Sequence, residues 1–118
     1  MRRGDIVTVS VRSDYGKPRP AVVVQSDRLD GSDSVLVCLL TSTMRAAPLH
    51  RLSLEPGPET GLRQKLQVMV DKMFAIRREK CGPPIGRIGS EALIGLDHVL
   101  ALVLGLAGTQ PAPGGNPP

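Results

Sequence analysis

Aromatic side chains are almost absent from this chain of 118 residues, which contains one Tyr, one Phe and no Trp. Proteins that stack single-stranded nucleic acid on their surface use several aromatic rings. The composition therefore disfavours an RRM-like surface or an aromatic single-strand groove. Aliphatic residues are plentiful instead: with 41% hydrophobic residues, the length fits one compact domain with one core.

Cysteine and histidine are scarce as well. Cys38 and Cys81 lie far apart in the sequence, and His50 and His98 have no spacing that suits a zinc site. We therefore expect two reduced thiols, no metal and no cofactor. A phosphate-binding glycine loop is also missing, because Gly16 lacks the spaced glycine that would precede it, so nucleotide hydrolysis is unsupported.

The chain lacks the long apolar stretches of a secretion signal or a membrane span. Its basic start passes directly to Gly4 and Asp5, and the unbroken apolar run at residues 99–106 is far shorter than the roughly 20 residues that a span needs. We expect a cytoplasmic protein without membrane contact. The formal net charge of +4 favours an anionic partner.

Short runs rich in Val, Leu and Ile, each ended by turn residues, predict a mainly β domain. Strands are expected at residues 6–11, 21–25, 35–40, 49–54, 66–71 and 74–77, with residues 12–20 as a loop. A helix is predicted from Ser90, as its cap, to about Ala107, with Gly108 ending it. Residues 1–108 then form a single domain, and the Pro- and Gly-rich residues 109–118 form a disordered tail.

Two polar features stand next to the predicted central strands. Arg19 lies between Pro18 and Pro20, which fix φ and present the guanidinium from a stiff base. A guanidinium in that position suits a phosphate, although it also suits a surface carboxylate. The hydroxyls of Thr41 and Ser42 end the next apolar run, where they can donate to a phosphoryl oxygen or bond local backbone.

Several segments together resemble the signature blocks of the MazF/PemK toxins, the ribonuclease toxins of bacterial type II toxin–antitoxin systems. The blocks are Arg-Gly-Asp-Ile-Val at residues 3–7, Gly-Lys-Pro-Arg-Pro-Ala-Val-Val-Val at 16–24 and Leu-Thr-Ser at 40–42. Later landmarks follow in the family's order at residues 61–62, 68–71 and 85–88. The resemblance covers about residues 3–107.

This resemblance implies a small SH3-like barrel of the CcdB/MazF/PemK type with a C-terminal α-helix, acting as a homodimer. It implies sequence-selective cleavage of single-stranded RNA without a metal ion, by attack of the ribose 2′-hydroxyl, leaving a 2′,3′-cyclic phosphate and a 5′-hydroxyl. The family's essential arginine falls on Arg19 and its essential threonine on Thr41. It also implies a cognate antitoxin whose acidic, partly disordered segment blocks the RNA groove.

The substrate-binding candidates beside this pair are Tyr15, Lys17, Ser42, Asp71 and Lys72. Tyr15 is placed to stack on a base, and Lys17 and Lys72 are expected to line the groove together with Arg19. Family members often carry an acid, Gln, an apolar residue, Arg and Thr after the fifth strand. This chain has Asp-Lys-Met-Phe-Ala at residues 71–75, so only the acid is kept. Some relatives have a catalytic arginine two positions before that acid, where this chain has Met69, so no second catalytic arginine is assigned.

Two alternatives belong to other functional classes. The first is a CcdB-like toxin that binds DNA gyrase, and the second is a non-catalytic SH3-like RNA-binding module. Incubation of the protein with RNA in EDTA separates them from a ribonuclease, because only the ribonuclease yields defined cuts with cyclic-phosphate ends.

Overall fold

The computed structural model describes residues 1–11, 17–47 and 49–106. Within them the chain forms one antiparallel sheet and one helix. The strands are β1 (Asp5–Ser10), β2 (Pro18–Val23), β3 (Ser34–Thr41), β4 (Arg51–Leu54), β5 (Leu66–Met69), β6 (Phe74–Arg77) and β7 (Gly86–Arg87), followed by helix α1 (Ser90–Leu104). Tyr15 and the predicted tail at residues 109–118 lie outside the described residues.

Strand β3 lies inside the sheet, whose order is β4-β5-β3-β2-β1-β7, and pairs with three other strands. One edge of β3 pairs with β2. The other edge pairs with β6 along the first half of the strand and with β5 near its end, where Thr41 lies opposite Gln67. Thr41 therefore ends the strand that contacts three others.

The sheet curls far enough for β6 and β1 to approach each other. A β-bridge joins Val9 to Cys81 just after β6, and the amide of Gly82 donates to the carbonyl of Thr8 at 2.8 Å. A ring of backbone pairing thus encloses a buried aliphatic cluster. The members of this cluster are Val7, Val9, Ala21, Val23, Val35 and Val37.

The opposite face of the same strands carries the larger part of the core, because side chains alternate between the two faces of a strand. Ile6, Val22, Cys38 and Leu40 point to this face and pack with Val68 of β5. Helix α1 covers the cluster with Leu96, Val99 and Leu100. The predicted mainly β barrel with one C-terminal helix is confirmed, and no helix among the described residues is long and apolar enough to cross a membrane.

Strand β2 begins earlier than predicted, at Pro18, so Pro18, Arg19 and Pro20 belong to the sheet and not to a loop. They pair with Ser10, Val9 and Thr8 of β1. Prolines two residues apart lack their N–H donors on the same edge of the strand. β2 pairs with β3 only from Ala21 onward, so no β3 partner needs an N–H group from Pro18 or Pro20. The strand can therefore contain both prolines.

Other predicted boundaries also need correction. β4 starts at Arg51 because Leu49 and His50 form a turn, and β5 ends at Met69 because Val70–Lys72 form a short 3₁₀ turn. The two-residue strand β7, which pairs with Asp5 and Ile6, was not predicted. Two residues carry too little periodicity to be seen in sequence.

The ends of helix α1 differ from the prediction as well. Gly89 is the N-cap residue, and Ser90 is already helical and caps nothing. The helix ends at Leu104 because Gly105 adopts a left-handed conformation with φ of 67°, and the amide of Leu106 bonds the carbonyl of Ala101 at 3.0 Å. Glycine reaches this conformation without a Cβ clash, so Gly105 and not Gly108 ends the helix.

Candidate active site

The pairing of β2 with β3 brings the two candidate catalytic residues together. Ala21 lies opposite Leu39 and Val23 opposite Val37. Continuing this register by two residues aligns Arg19 with Thr41, and directly opposed residues of an antiparallel pair project to the same face. Both side chains line one open groove.

The groove has a volume of about 450 Å³ and a polar, cationic lining. No carboxylate occurs among its described lining residues. Two cations, three hydroxyls and one amide supply hydrogen-bond donors from Lys17, Arg19, Thr41, Ser42, Thr43 and Gln64. Such a surface attracts an anion and supplies hydrogen bonds to its oxygens.

Arg19 is held more firmly than a loop residue would be. It is half-buried within β2, lies opposite Val9, and has a proline on each side. The rings fix two backbone φ angles, and the strand pairing fixes the direction of the side chain. The guanidinium therefore starts from a rigid position at the groove.

The Thr41 hydroxyl is oriented by the chain that follows it. Its oxygen accepts a hydrogen bond from the backbone amide of Thr43 at 3.1 Å. A hydroxyl has one donor hydrogen and can accept two bonds, so this contact leaves the hydrogen to donate. Thr41 can thus offer its proton to an oxygen in the groove.

A buried polar pair, Arg51 and Gln67, holds the segment that follows Thr41, and it was not predicted from the sequence. Arg51 donates through Nη1 to the carbonyl of Thr43 at 3.0 Å and to Oε1 of Gln67 at 3.1 Å. The Gln67 side chain also accepts from the amide of Arg45 and donates to its carbonyl. The signal available in sequence was a polar residue inside a short apolar run, such as Gln67 between Leu66 and Val68.

The other candidates divide between two locations. Lys17 and Ser42 line the groove with Arg19 and Thr41, whereas Asp71 and Lys72 do not. Asp71 lies in the 3₁₀ turn after β5 and acts electrostatically on Cys38, whose side chain points to the face of β3 opposite that of Thr41. Of these described candidates, only Lys17 and Ser42 line the groove beside Arg19 and Thr41.

The two thiols have different surroundings. Burial in the aliphatic core raises the pKa of Cys38 from 9.0 to about 12, and the negative charge of Asp71 adds to the effect. Cys81 is half-buried, and desolvation raises its pKa although the Arg78 guanidinium opposes the shift. Neither thiol lines the groove, so neither is a candidate nucleophile there.

A larger groove of about 530 Å³ lies where the 55–60 loop meets the start of α1. Glu55, Glu59 and Glu91 line it, and its described lining contains no cation. It would repel a phosphate. Across the described part of the chain, no three His, Cys, Asp or Glu side chains gather in a way that could hold a metal ion.

The fold and the groove define a small, mainly β protein with a cationic site for an anionic group. The model of the family of PemK-like, MazF-like toxins of type II toxin–antitoxin systems matches residues 2–104. The chain therefore belongs to this family.

Two relatives agree with that assignment, and a solved structure shares the fold. A probable endoribonuclease MazF of Mycolicibacterium smegmatis is 40% identical over 109 residues, which is 92% of this chain and 100% of the relative. The endoribonuclease MazF9 of Mycobacterium tuberculosis is 30% identical over 115 residues, with coverage of 90% and 98%. A mycobacterial endoribonuclease solved in complex with its cognate antitoxin superposes with a TM-score of 0.74 at 21% identity, over 96% of this chain and 99% of that one.

Proposed function

We propose that this chain is the toxin of a type II toxin–antitoxin pair and an endoribonuclease that cuts single-stranded RNA at selected sequences, without a metal ion. The observation that carries the proposal is the meeting of Arg19 and Thr41 in one groove whose described lining contains no carboxylate. The endoribonuclease names of two relatives that align over nine-tenths of the chain support it. An acidic segment of the antitoxin would compete for the same cations.

The reaction uses a nucleophile that belongs to the RNA. The 2′-oxygen forms a bond to the adjacent phosphorus while the bond from phosphorus to the 5′-oxygen breaks. A proton leaves the 2′-hydroxyl and a proton is delivered to the 5′-oxygen, so the products carry a 2′,3′-cyclic phosphate and a 5′-hydroxyl. The protein has to align the phosphate and stabilise the negative charge that develops on it.

We assign these tasks to side chains that line the groove. The Arg19 guanidinium donates hydrogen bonds to the phosphoryl oxygens and, because it stays charged at any working pH, stabilises the negative charge that develops on the phosphate. Thr41 donates its hydroxyl hydrogen to the same phosphate, while Lys17 and Ser42 hold the strand beside it. DNA lacks the 2′-hydroxyl and should not be cut.

The activity is tested with the purified full chain and a long single-stranded RNA in EDTA. Defined cuts that end in a 2′,3′-cyclic phosphate, and that disappear when the cleaved nucleotide is 2′-deoxy, support the proposal. Intact RNA that stays bound would indicate the RNA-binding module. Intact RNA together with binding of DNA gyrase would indicate the CcdB-like toxin.

Arg19→Ala should reduce the single-turnover cutting rate by about 10²- to 10³-fold, because one charge-stabilising donor is lost. Thr41→Val, which keeps the shape but removes the hydroxyl, should act in the same direction. The matched control is Arg77→Ala, which removes an exposed guanidinium at the opposite end of β3, where Arg77 pairs with Ser34. Cutting by Arg19→Ala at the rate of the Arg77→Ala control would reject the assigned role.

A further inference from the structure

Arg51 is a buried cation without a compensating charge. Only 8% of the residue is exposed, and its two hydrogen-bond acceptors are neutral, a backbone carbonyl and the Gln67 amide oxygen. Its Nε atom is buried and has no hydrogen-bond partner. None of the ion pairs formed within the described residues includes Arg51. A desolvated guanidinium in this state would be stabilised by an anion.

An open pocket adjoins this guanidinium. We call it the Arg51 pocket; it has a volume of about 230 Å³ and is lined by Arg45, Ala46, Ala47, Arg51, Ser53 and Gln67. Arg45 is exposed and adds a second positive charge, and no carboxylate occurs among these lining residues. The pocket therefore has the charge and the donors to take one anionic group.

One hydrogen bond links the Arg51 pocket to the groove that holds Arg19 and Thr41. Thr43 lines the groove, and its carbonyl accepts the hydrogen bond from Arg51. Arg45 lies four positions after Thr41, so these two Cα atoms lie at most about 14 Å apart. A strand whose phosphate lies between Arg19 and Thr41 can therefore reach the pocket with a nearby nucleotide.

We propose that the Arg51 pocket binds a phosphodiester group of the RNA next to the one that is cut. The proposal rests on the proposed ribonuclease function and adds a second anchoring point to it. Two rigid guanidinium groups, one at each site, would fix the direction of the strand and hold the scissile phosphate in line for attack.

The test is a double-mutant cycle that combines one substitution in the protein with one modification of the RNA. The substrate is an oligoribonucleotide with the cut sequence, in which only the cleaved nucleotide keeps its 2′-hydroxyl and each flanking phosphate in turn is a neutral methylphosphonate. For the unchanged protein, the methylphosphonate at one flanking position should lower the cutting rate about tenfold or more, because a charge-assisted hydrogen bond is lost.

Ala46→Asp places a carboxylate at the exposed edge of the pocket, where it can neutralise Arg51 or Arg45. In this variant the same methylphosphonate should change the rate by less than about twofold, since the contact is already lost. Ala46→Asn, similar in size and uncharged, should keep the tenfold penalty. Thermal unfolding of both variants checks that the fold is retained.

Three results overturn the proposal in distinguishable ways. If the unchanged protein cuts no RNA, the proposed function fails and this proposal falls with it. If RNA is cut but Ala46→Asp changes the methylphosphonate penalty at no flanking position, Arg51 only stabilises the segment around Thr43 through its hydrogen bond. If Ala46→Asp weakens binding of a glutamate-rich synthetic peptide but leaves every methylphosphonate penalty unchanged, the pocket binds protein carboxylates and not RNA.

Discussion

Neighbouring residues of β3 serve different purposes although they differ little in sequence context. Cys38 is fully buried in the core, whereas Thr41, three positions later, faces the groove. The two-residue period of a strand sends them to opposite faces. A local pattern can therefore show that a residue is in a strand, but its surroundings depend on what packs against that face.

The raised pKa of Cys38 predicts a pH dependence of stability. In the unfolded chain the thiol loses its proton near its ordinary pKa of 9.0, whereas in the folded protein burial raises that pKa to about 12. Between these values the unfolded state binds fewer protons, so the free energy of unfolding falls as pH rises, by up to about 1.4 kcal/mol per pH unit from this group. The stabilisation is fully present below pH 9.

Denaturant unfolding at several pH values from 8 to 10.5 measures this dependence. Cys38→Ala should be less stable at pH 8 because of the cavity, but its stability should fall less steeply above pH 9. Cys81→Ala, which changes the half-buried thiol, should keep the slope that comes from Cys38. Equal slopes for Cys38→Ala and the unchanged protein would show that the thiol does not contribute.

The position of a single residue could be predicted where its immediate neighbours in sequence hold it. It could not be predicted where its hydrogen-bond partners are distant in sequence. Arg19 between two prolines was recognisable as a firmly held cation, and the structure brings it to the same groove as Thr41. Arg51 was not recognised because its bonds to Thr43 and Gln67 join three segments of the chain. Only the folded sheet makes this buried network visible.

Among the secondary-structure elements, short loops that touch other elements are sensitive to small changes. Gly61 adopts φ of 72°, and a Cβ at this position would lie 2.1 Å from the carbonyl oxygen of Ile85. Both the left-handed backbone and the close approach require glycine here. The contact fixes the loop between β4 and β5 against the segment that leads into β7.

Gly61→Ala should therefore lower the free energy of unfolding by about 2–4 kcal/mol, since backbone strain and overpacking add together. Gly31→Ala is the matched control, because nothing lies within 4 Å of its Cβ position and its backbone is not left-handed. It should change stability by less than about 0.5 kcal/mol. Denaturant unfolding of the two variants gives both numbers, and similar values would contradict the steric explanation.

On the scale of the whole molecule, the helix leaves apolar surface uncovered. Ile94 is 69% exposed and Leu104 is 53% exposed, while Leu96, Val99 and Leu100 of the same helix are buried. In sequence, an apolar helix end that packs within one subunit looks the same as one that packs between two. The structure places part of it in the core and part of it at the surface.

The homodimer implied by the family resemblance stays a prediction, with a direct measurement. Sedimentation equilibrium of the full chain should give twice the mass of one chain at micromolar concentration. Ile94→Lys, at the most exposed apolar side chain of the helix, should shift the equilibrium toward monomer if that surface is part of the contact. A single-chain mass for the unchanged protein at all concentrations would contradict the dimer.

The sequence by itself determined the fold class and the approximate strands, because hydrophobic alternation and turn residues are local properties. Its family resemblance made Arg19 and Thr41 the catalytic candidates. The tertiary structure decided which of the candidates lie together. The register of β2 on β3 brings Arg19 and Thr41 to one groove, whereas Asp71 and Lys72, in the turn after β5, are not among the residues that line it. Register is set by packing across the whole sheet, and a shift of one residue would turn each side chain to the opposite face.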